Sequence, residues 1–325
     1  MTSSSSSIMV VASNIHRVRN PLPKIPSNAK WNPKGVVIAG GHGNGSALNQ
    51  LSSPYGLYVD DDQTIYIADY YNNRVVAWEY NAISGQVVAG GNGRGDGNYQ
   101  LVYPTDVIVD KSTDSLVICD SDNRRVMQWP RRAGNYGEKI INNIWCWGLA
   151  MDNQRFLYVS DWDKHEVKRY RIGRPYGIVV AGGCGKGNGL DQLNVPKYIF
   201  VDGNYSVFVS DTNNNRVTKW SKGSNQGFVM AGDQGGGNDL SQLSNPRGLT
   251  VDSSGTLYVA DANSNRVMRW LNGATEGTIV AHGNRWDTEE LQLHFPMGVS
   301  LDRQGNLYAV DKTNHRVLKF LMEPI

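Results

Sequence analysis

Short apolar runs follow one another along the chain, each broken by Gly, Asn, Asp or Pro, and none sustains the spacing of an amphipathic helix. From position 248 onward four such runs stand in order: Gly248-Leu249-Thr250-Val251, Thr256 to Ala260, Arg266 to Trp270 and Thr278 to Ala281. Their β-branched and aromatic content predicts strands, and Ser253-Ser254-Gly255 and Asn272-Gly273 supply turns because Gly and Asn tolerate positive φ at low cost. The same unit returns six times: an apolar strand ending in Asp, a second ending in Asp, then Asn/Arg-Val and an aromatic residue. The second aspartates are Asp69, Asp120, Asp161, Asp211, Asp261 and Asp311; three of their spacings are 50 residues, one is 51 and one is 41, so one junction has lost a piece.

Four-stranded antiparallel units repeated around an axis hide their faces against one another, which predicts an all-β, six-bladed β-propeller. The last repeat stops at Phe320 to Ile325 after its third strand, while Gly35 to Ala39 is an orphan fourth strand ahead of the first repeat. The N-terminal strand is therefore expected to complete the last blade and close the ring. This divides the chain into a propeller over 35–325 and a Ser/Pro/Asn-rich extension over 1–34, flexible or draped on the surface.

The repeat resembles the NHL family, on Pro54-Tyr55-Gly56 with Asp69 to Val75 and on Pro246-Arg247-Gly248 with Asp261 to Val267, and the likeness extends over nearly all of 35–320. A kelch-like propeller has a similar period, but the aspartate-to-arginine signature suits it less well. The resemblance implies a propeller that binds partners through the face carrying its longer loops.

Six copies in one chain separate scaffold from site. Aromatics recurring nine residues after each second aspartate (Trp78, Trp129, Tyr170, Trp220, Trp270, Phe320) read as packing between sheets. Small residues just before that aspartate, Cys119 among them, read as tight packing sites, which makes Cys119 an inert buried thiol. The pairs Asp69/Arg74, Asp120/Arg125, Asp211/Arg216, Asp261/Arg266 and Asp311/Arg316 read as locks on the turn between second and third strands rather than catalytic groups. In the third repeat Glu166 replaces the arginine, and the shortened junction reads Ile144-Trp145-Cys146-Trp147-Gly148. Three tryptophans with mixed charge at that rim make Trp147, Trp162, Lys164, His165, Lys197 and Arg247 the candidate partner contacts.

Composition narrows the function further. The chain has 325 residues, 40% apolar and 19% charged, with a net charge of +2. That balance excludes wholesale disorder and gives no general attraction to nucleic acid or anionic membrane. No apolar run approaches the roughly 20 residues of a membrane span. Three cysteines, an odd number, lean toward a reducing compartment, hence the cytoplasm.

In an amidating lyase of the same repeat family, zinc is held by histidines projecting into the channel. The corresponding positions are Tyr55, Thr105, Trp147, Lys197, Arg247 and Met297, so no metal or other cofactor is expected. For single-stranded RNA, Arg94, Arg124, Lys186, Lys197, Arg247 and Arg285 are opposed by Asp96, Asp191, Asp239, Asp287, Glu289 and Glu290. The reading is a non-catalytic, monomeric scaffold for a protein or peptide, with an RNA-binding propeller and a metal-dependent lyase or hydrolase as alternatives.

Overall fold

Strands whose two faces are both apolar must be covered on both sides, and a ring of stacked sheets does this for every sheet at once. The structure, a computed structural model, describes residues 22–132, 136–282 and 292–324. In it six four-stranded antiparallel sheets form the blades. Blade 1 comprises Pro54–Val59, Ile65–Asp69, Arg74–Trp78 and Gln86–Gly90. The innermost strands of blades 2 to 6 are Pro104–Asp110, Cys146–Met151, Pro196–Val201, Pro246–Val251 and Pro296–Leu301, and each touches the innermost strand of its neighbours around the axis. The fourth strand of blade 6 is Val36–Gly40, paired antiparallel with Arg316–Phe320 from Val36↔Lys319 to Gly40↔Arg316.

The recurrent aromatics Trp78, Trp129, Tyr170, Trp220, Trp270 and Phe320 are buried between sheets. In five repeats the aspartate and arginine form a buried ion pair through the arginine Nε. Arg125 meets Asp120 at 2.6 Å and Arg74 meets Asp69 at 2.7 Å, while Arg216–Asp211, Arg266–Asp261 and Arg316–Asp311 each stand at 2.8 Å. Blade 3 departs from this. Only three residues separate Asn142 from Cys146, where 13 separate Gly90 from Pro104, and Glu166 pairs instead with Lys168 at 2.6 Å.

Two sequence expectations are corrected. The first is the reach of the aspartate–arginine locks, which are not confined to the turn between second and third strands. Arg125 shows this most fully: its guanidinium also donates to the carbonyls of Asp96, Gly97 and Gln100, on the loop that enters blade 2. Asp120 accepts the Val102 N–H from that same loop. The physical reason is that a buried guanidinium has more donors than one carboxylate can satisfy, and the loop carbonyls take the remainder. Arg74 likewise holds Ser46, Ala47 and Gln50, with Asp69 accepting the Ser52 N–H. Arg125 also differs from the other four in its main chain, whose carbonyl oxygen lies 3.4 Å from Cys146 Sγ in the next blade.

The second correction concerns Cys119, which is not an inert thiol. It forms a disulfide with Cys146, their Cα atoms 5.8 Å apart, linking blade 2 to blade 3. Cys119 occupies the small position before the second aspartate and Cys146 the position held by proline in the other five blades, and these two sites face each other across the seam. The pairing also removes the premise for a reducing, cytoplasmic compartment, since disulfides persist where conditions are oxidising.

For the extension, the structure takes the draped alternative. Residues 1–21 lie outside the described residues. Residues 22–34 are draped over blades 5 and 6 rather than free, with Ile25, Ala29 and Trp31 buried. The Trp31 indole donates to the Gly305 carbonyl at 2.9 Å, and Arg269 donates to the carbonyls of Ser27 and Ala29.

Candidate functional site

In every blade the ladder between first and second strands breaks just after the position of Pro54: it resumes at Leu57 in blade 1 and at the equivalent residue in four others, and one residue sooner, at Asp106, in blade 2. An interrupted ladder re-aims the side chains it frees. The residues released are Tyr55, Thr105, Trp147, Lys197, Arg247 and Met297, at the end of the axial channel where the long loops cluster. Their backbones are pinned across the seams. The carbonyl of Trp147 accepts from Thr105 Oγ1 at 2.8 Å, that of Lys197 from Ser160 Oγ at 2.5 Å, and that of Arg247 from Ser210 Oγ at 2.5 Å. Gly148 keeps the seam between blades 3 and 4 closed, because a Cβ there would lie 2.5 Å from the Lys197 carbonyl oxygen.

Three basic side chains meet at this mouth. Lys197 Nζ sits 3.2 Å from the Trp147 ring centre, and the Arg247 guanidinium 5.7 Å from the same ring. Arg247 and Lys312 share a second ring, Phe295, at 5.8 and 4.8 Å, and Lys312 also lies 5.3 Å from Tyr55. Among the described residues no carboxylate pairs with any of the three, and Arg247 Nε is buried without a hydrogen-bond partner. Withdrawal from water, reinforced by the charges of Arg247 and Lys312, brings the Lys197 amine down to about 6. Burial and the Arg247 charge also lower Lys312, and burial lowers Arg247 itself. Burial raises the Tyr55 phenol. From Tyr55 a ladder of rings leads outward over the loops: Tyr55 on Tyr70 at 4.1 Å, Tyr70 on Tyr103 at 4.6 Å, and Arg94 over Tyr103 at 4.7 Å.

The mouth has a floor. At the next position along the inner strands four blades carry glycine, but blade 2 carries Asp106 and blade 4 Tyr198. Tyr198 reaches past blade 3 to the Thr105 carbonyl of blade 2, 3.4 Å away, and the buried Asp106 carboxylate accepts the N–H groups of Leu149 and Val107. Burial outweighs those bonds and pushes Asp106 up to about 7. Below this floor a second cavity of about 1230 Å³, lined by Leu57, Leu149, Ile199, Leu249 and Val299, opens at the opposite face.

Of the six contact residues expected from sequence, Trp147, Lys197 and Arg247 come together at the mouth and the other three do not. Trp162 packs against Trp145, ring centres 5.2 Å apart. Lys164 is exposed, and its N–H binds Asp161. His165 is a seam latch: its Nδ1 accepts the Val195 N–H at 3.1 Å, as the Asn73 carboxamide accepts that of Tyr103. Sequence reading missed Lys312, Phe295, Tyr70 and Tyr103. Their signal lay in repeat phase, for Lys312 and Tyr70 follow the second aspartate, and Phe295 and Tyr103 precede the inner-strand proline. In the sequence Tyr55 stands out only within the Pro54-Tyr55-Gly56 motif and as a channel position. Arg285, Asp287, Glu289 and Glu290 lie outside the described residues. Among the described residues no cluster of three His, Cys, Asp or Glu side chains could hold a metal ion, and no helix is long and apolar enough to cross a membrane.

A profile of the NHL repeat matches residues 51–78 and 243–269, the inner three strands of blades 1 and 5. No curated protein matches the sequence. Among solved structures the chain is similar to an auxiliary nutrient binding protein from Bacteroides thetaiotaomicron, with 15% identity over 94% of this chain and 76% of that one and a TM-score of 0.63. It is also similar to a gluconolactonase from Xanthomonas campestris (13% identity, 95% and 99% covered, TM-score 0.64) and to virginiamycin B lyase from Staphylococcus aureus, solved with quinupristin (10%, 90% and 99%, 0.57). At such identities the likeness is one of fold.

Proposed function

We propose that this six-bladed NHL-repeat propeller is a non-catalytic recognition scaffold that takes a protein or peptide partner through its loop-rich face, with an acidic group of the partner entering the channel mouth. The observation that carries this reading is the trio Lys197, Arg247 and Lys312, recessed, ringed by Trp147, Tyr55 and Phe295, and unpaired by any described carboxylate. The charges of Arg247 and Lys312, held from water without counter-charge beside the Lys197 amine, are costly, and a ligand carboxylate would relieve that cost while forming charge-assisted bonds. The Tyr55-Tyr70-Tyr103 ladder gives a chain leaving the mouth rigid apolar surface to lie on. A solved relative whose name describes nutrient binding is consistent with a scaffold that binds without reacting.

Fluorescence anisotropy with a labelled tetraglutamate peptide tests it. Binding should weaken about tenfold in Arg247→Met, the loss of one charge-assisted contact. Equal capture of a tetralysine peptide, or indifference to Arg247→Met, would overturn the reading. Tight capture of a short single-stranded RNA with affinity falling steeply in salt would reassign the face to nucleic acid. Stoichiometric zinc or calcium in the purified protein would reopen the catalytic alternative.

A further inference from the structure

We propose that Lys197 is a nucleophilic amine, placed to capture an anionic carbonyl compound, an aldehyde or 2-oxo acid carrying a carboxylate, as a reversible imine at the bottom of the mouth. The inference rests on the anionic specificity proposed above but not on a peptide being the ligand.

Two features of the surroundings suit an amine that is free to react. Lys197 Nζ lies against the indole of Trp147, 3.2 Å from the ring centre, where water is largely displaced. Two cations stand close by, and no described acid holds it as an ammonium ion; Arg247 shares the Trp147 ring with it, and Lys312 shares Phe295 with Arg247. Desolvation and neighbouring positive charge are the two devices by which a lysine is kept neutral and nucleophilic near neutral pH. The direction of the Lys197 shift agrees with that geometry, its cause being burial first and the two cations second.

The same two cations define the ligand. With Lys197 neutral, Arg247 and Lys312 remain to seat a carboxylate, and the carbonyl carbon attached to it is presented to Nζ. The amine nitrogen attacks that carbon and forms the C–N bond. Both N–H protons leave with the carbonyl oxygen as water, and the C=N bond replaces C=O. No oxidant, reductant or metal takes part. The Lys197 main chain cannot recoil from the reaction, since its carbonyl is held by Ser160 Oγ at 2.5 Å and the seam is closed at Gly148. Hydrolysis by returning water releases the ligand unchanged.

The experiment is reductive trapping on the whole protein: glyoxylate with sodium cyanoborohydride at pH 7, followed by intact mass and peptide mapping. A single carboxymethyl adduct should appear on Lys197, formed about tenfold or more faster than on any other lysine, because ordinary lysines are almost wholly protonated at pH 7. Its rate should fall as pH drops through about 6. Acetaldehyde, which lacks the carboxylate, should label Lys197 about tenfold more slowly than glyoxylate, and Arg247→Met should narrow that difference. Labelling spread over surface lysines with Lys197 no faster, or a preference for acetaldehyde, overturns the proposal. A protein that binds tetraglutamate yet forms no Lys197 adduct overturns the imine alone. Adduct formation without peptide binding supports the imine and removes the peptide reading.

Discussion

His165 and His315 occupy a position that is Asn in blades 1, 4 and 5, always at positive φ and always accepting a backbone N–H from the following blade. An imidazole serves as that acceptor only while its Nδ1 is unprotonated. His165→Asn should therefore leave stability nearly unchanged, and His165→Ala should cost about 1 kcal/mol, the worth of one satisfied hydrogen bond, read from urea denaturation. Burial lowers the His315 imidazole below its usual 6.5, Asp69 and Asp311 opposing the shift. With the folded value depressed, the unfolded chain binds more protons in that window, so stability is full above about 6.5 and is lost as pH falls through the folded value. Melting temperature followed from pH 8 to pH 5 should drop, and His315→Asn should flatten the drop.

At the scale of the element, blade 3 departs from its neighbours in three ways that share one cause. The entering loop is missing, so there are no loop carbonyls for an arginine to hold as Arg125 holds those of blade 2, and Glu166 stands in its place beside Lys168. The seam that has lost this clasp is the one carrying the Cys119–Cys146 bond. The bond closes a loop with a sequence separation of 27 residues, and reducing it, or replacing Cys146 by Ser, should lower unfolding stability by about 3 kcal/mol in guanidinium titrations. Glu166→Arg should recover none of that loss. The repeat period made the blades, the short junction and Glu166 legible in the sequence, because each is a match or mismatch in phase. It could not reveal the disulfide. Cys119 and Cys146 sit at different phases of adjacent repeats, and only the stacking of sheets brings them together. Nor could it reveal which carbonyls Arg125 would grip, since the loop's path is set by the blades on either side. The channel mouth was half legible for the same reason: Lys197 and Arg247 share one repeat position, whereas Lys312 and Phe295 reach the same spot from two others.

The whole molecule is a ring whose last sheet is completed by Val36–Gly40 and whose outer seam is covered by residues 22–34. Trp31, buried against Tyr258 at 5.7 Å and hydrogen-bonded to Gly305, is the centre of that cover. Trp31→Ala should cost about 3 to 5 kcal/mol, as large-to-small changes in cores do. A chain beginning at residue 41 should expose the Arg316–Phe320 edge and self-associate, visible as a shift in light-scattering mass. The stopper formed by Asp106 and Tyr198 bears on traffic rather than strength. With the axle plugged, whatever settles on Lys197 must depart by the door through which it came, displaced water must escape past it in the opposite direction, and the tyrosine-lined threshold governs how long any guest stays.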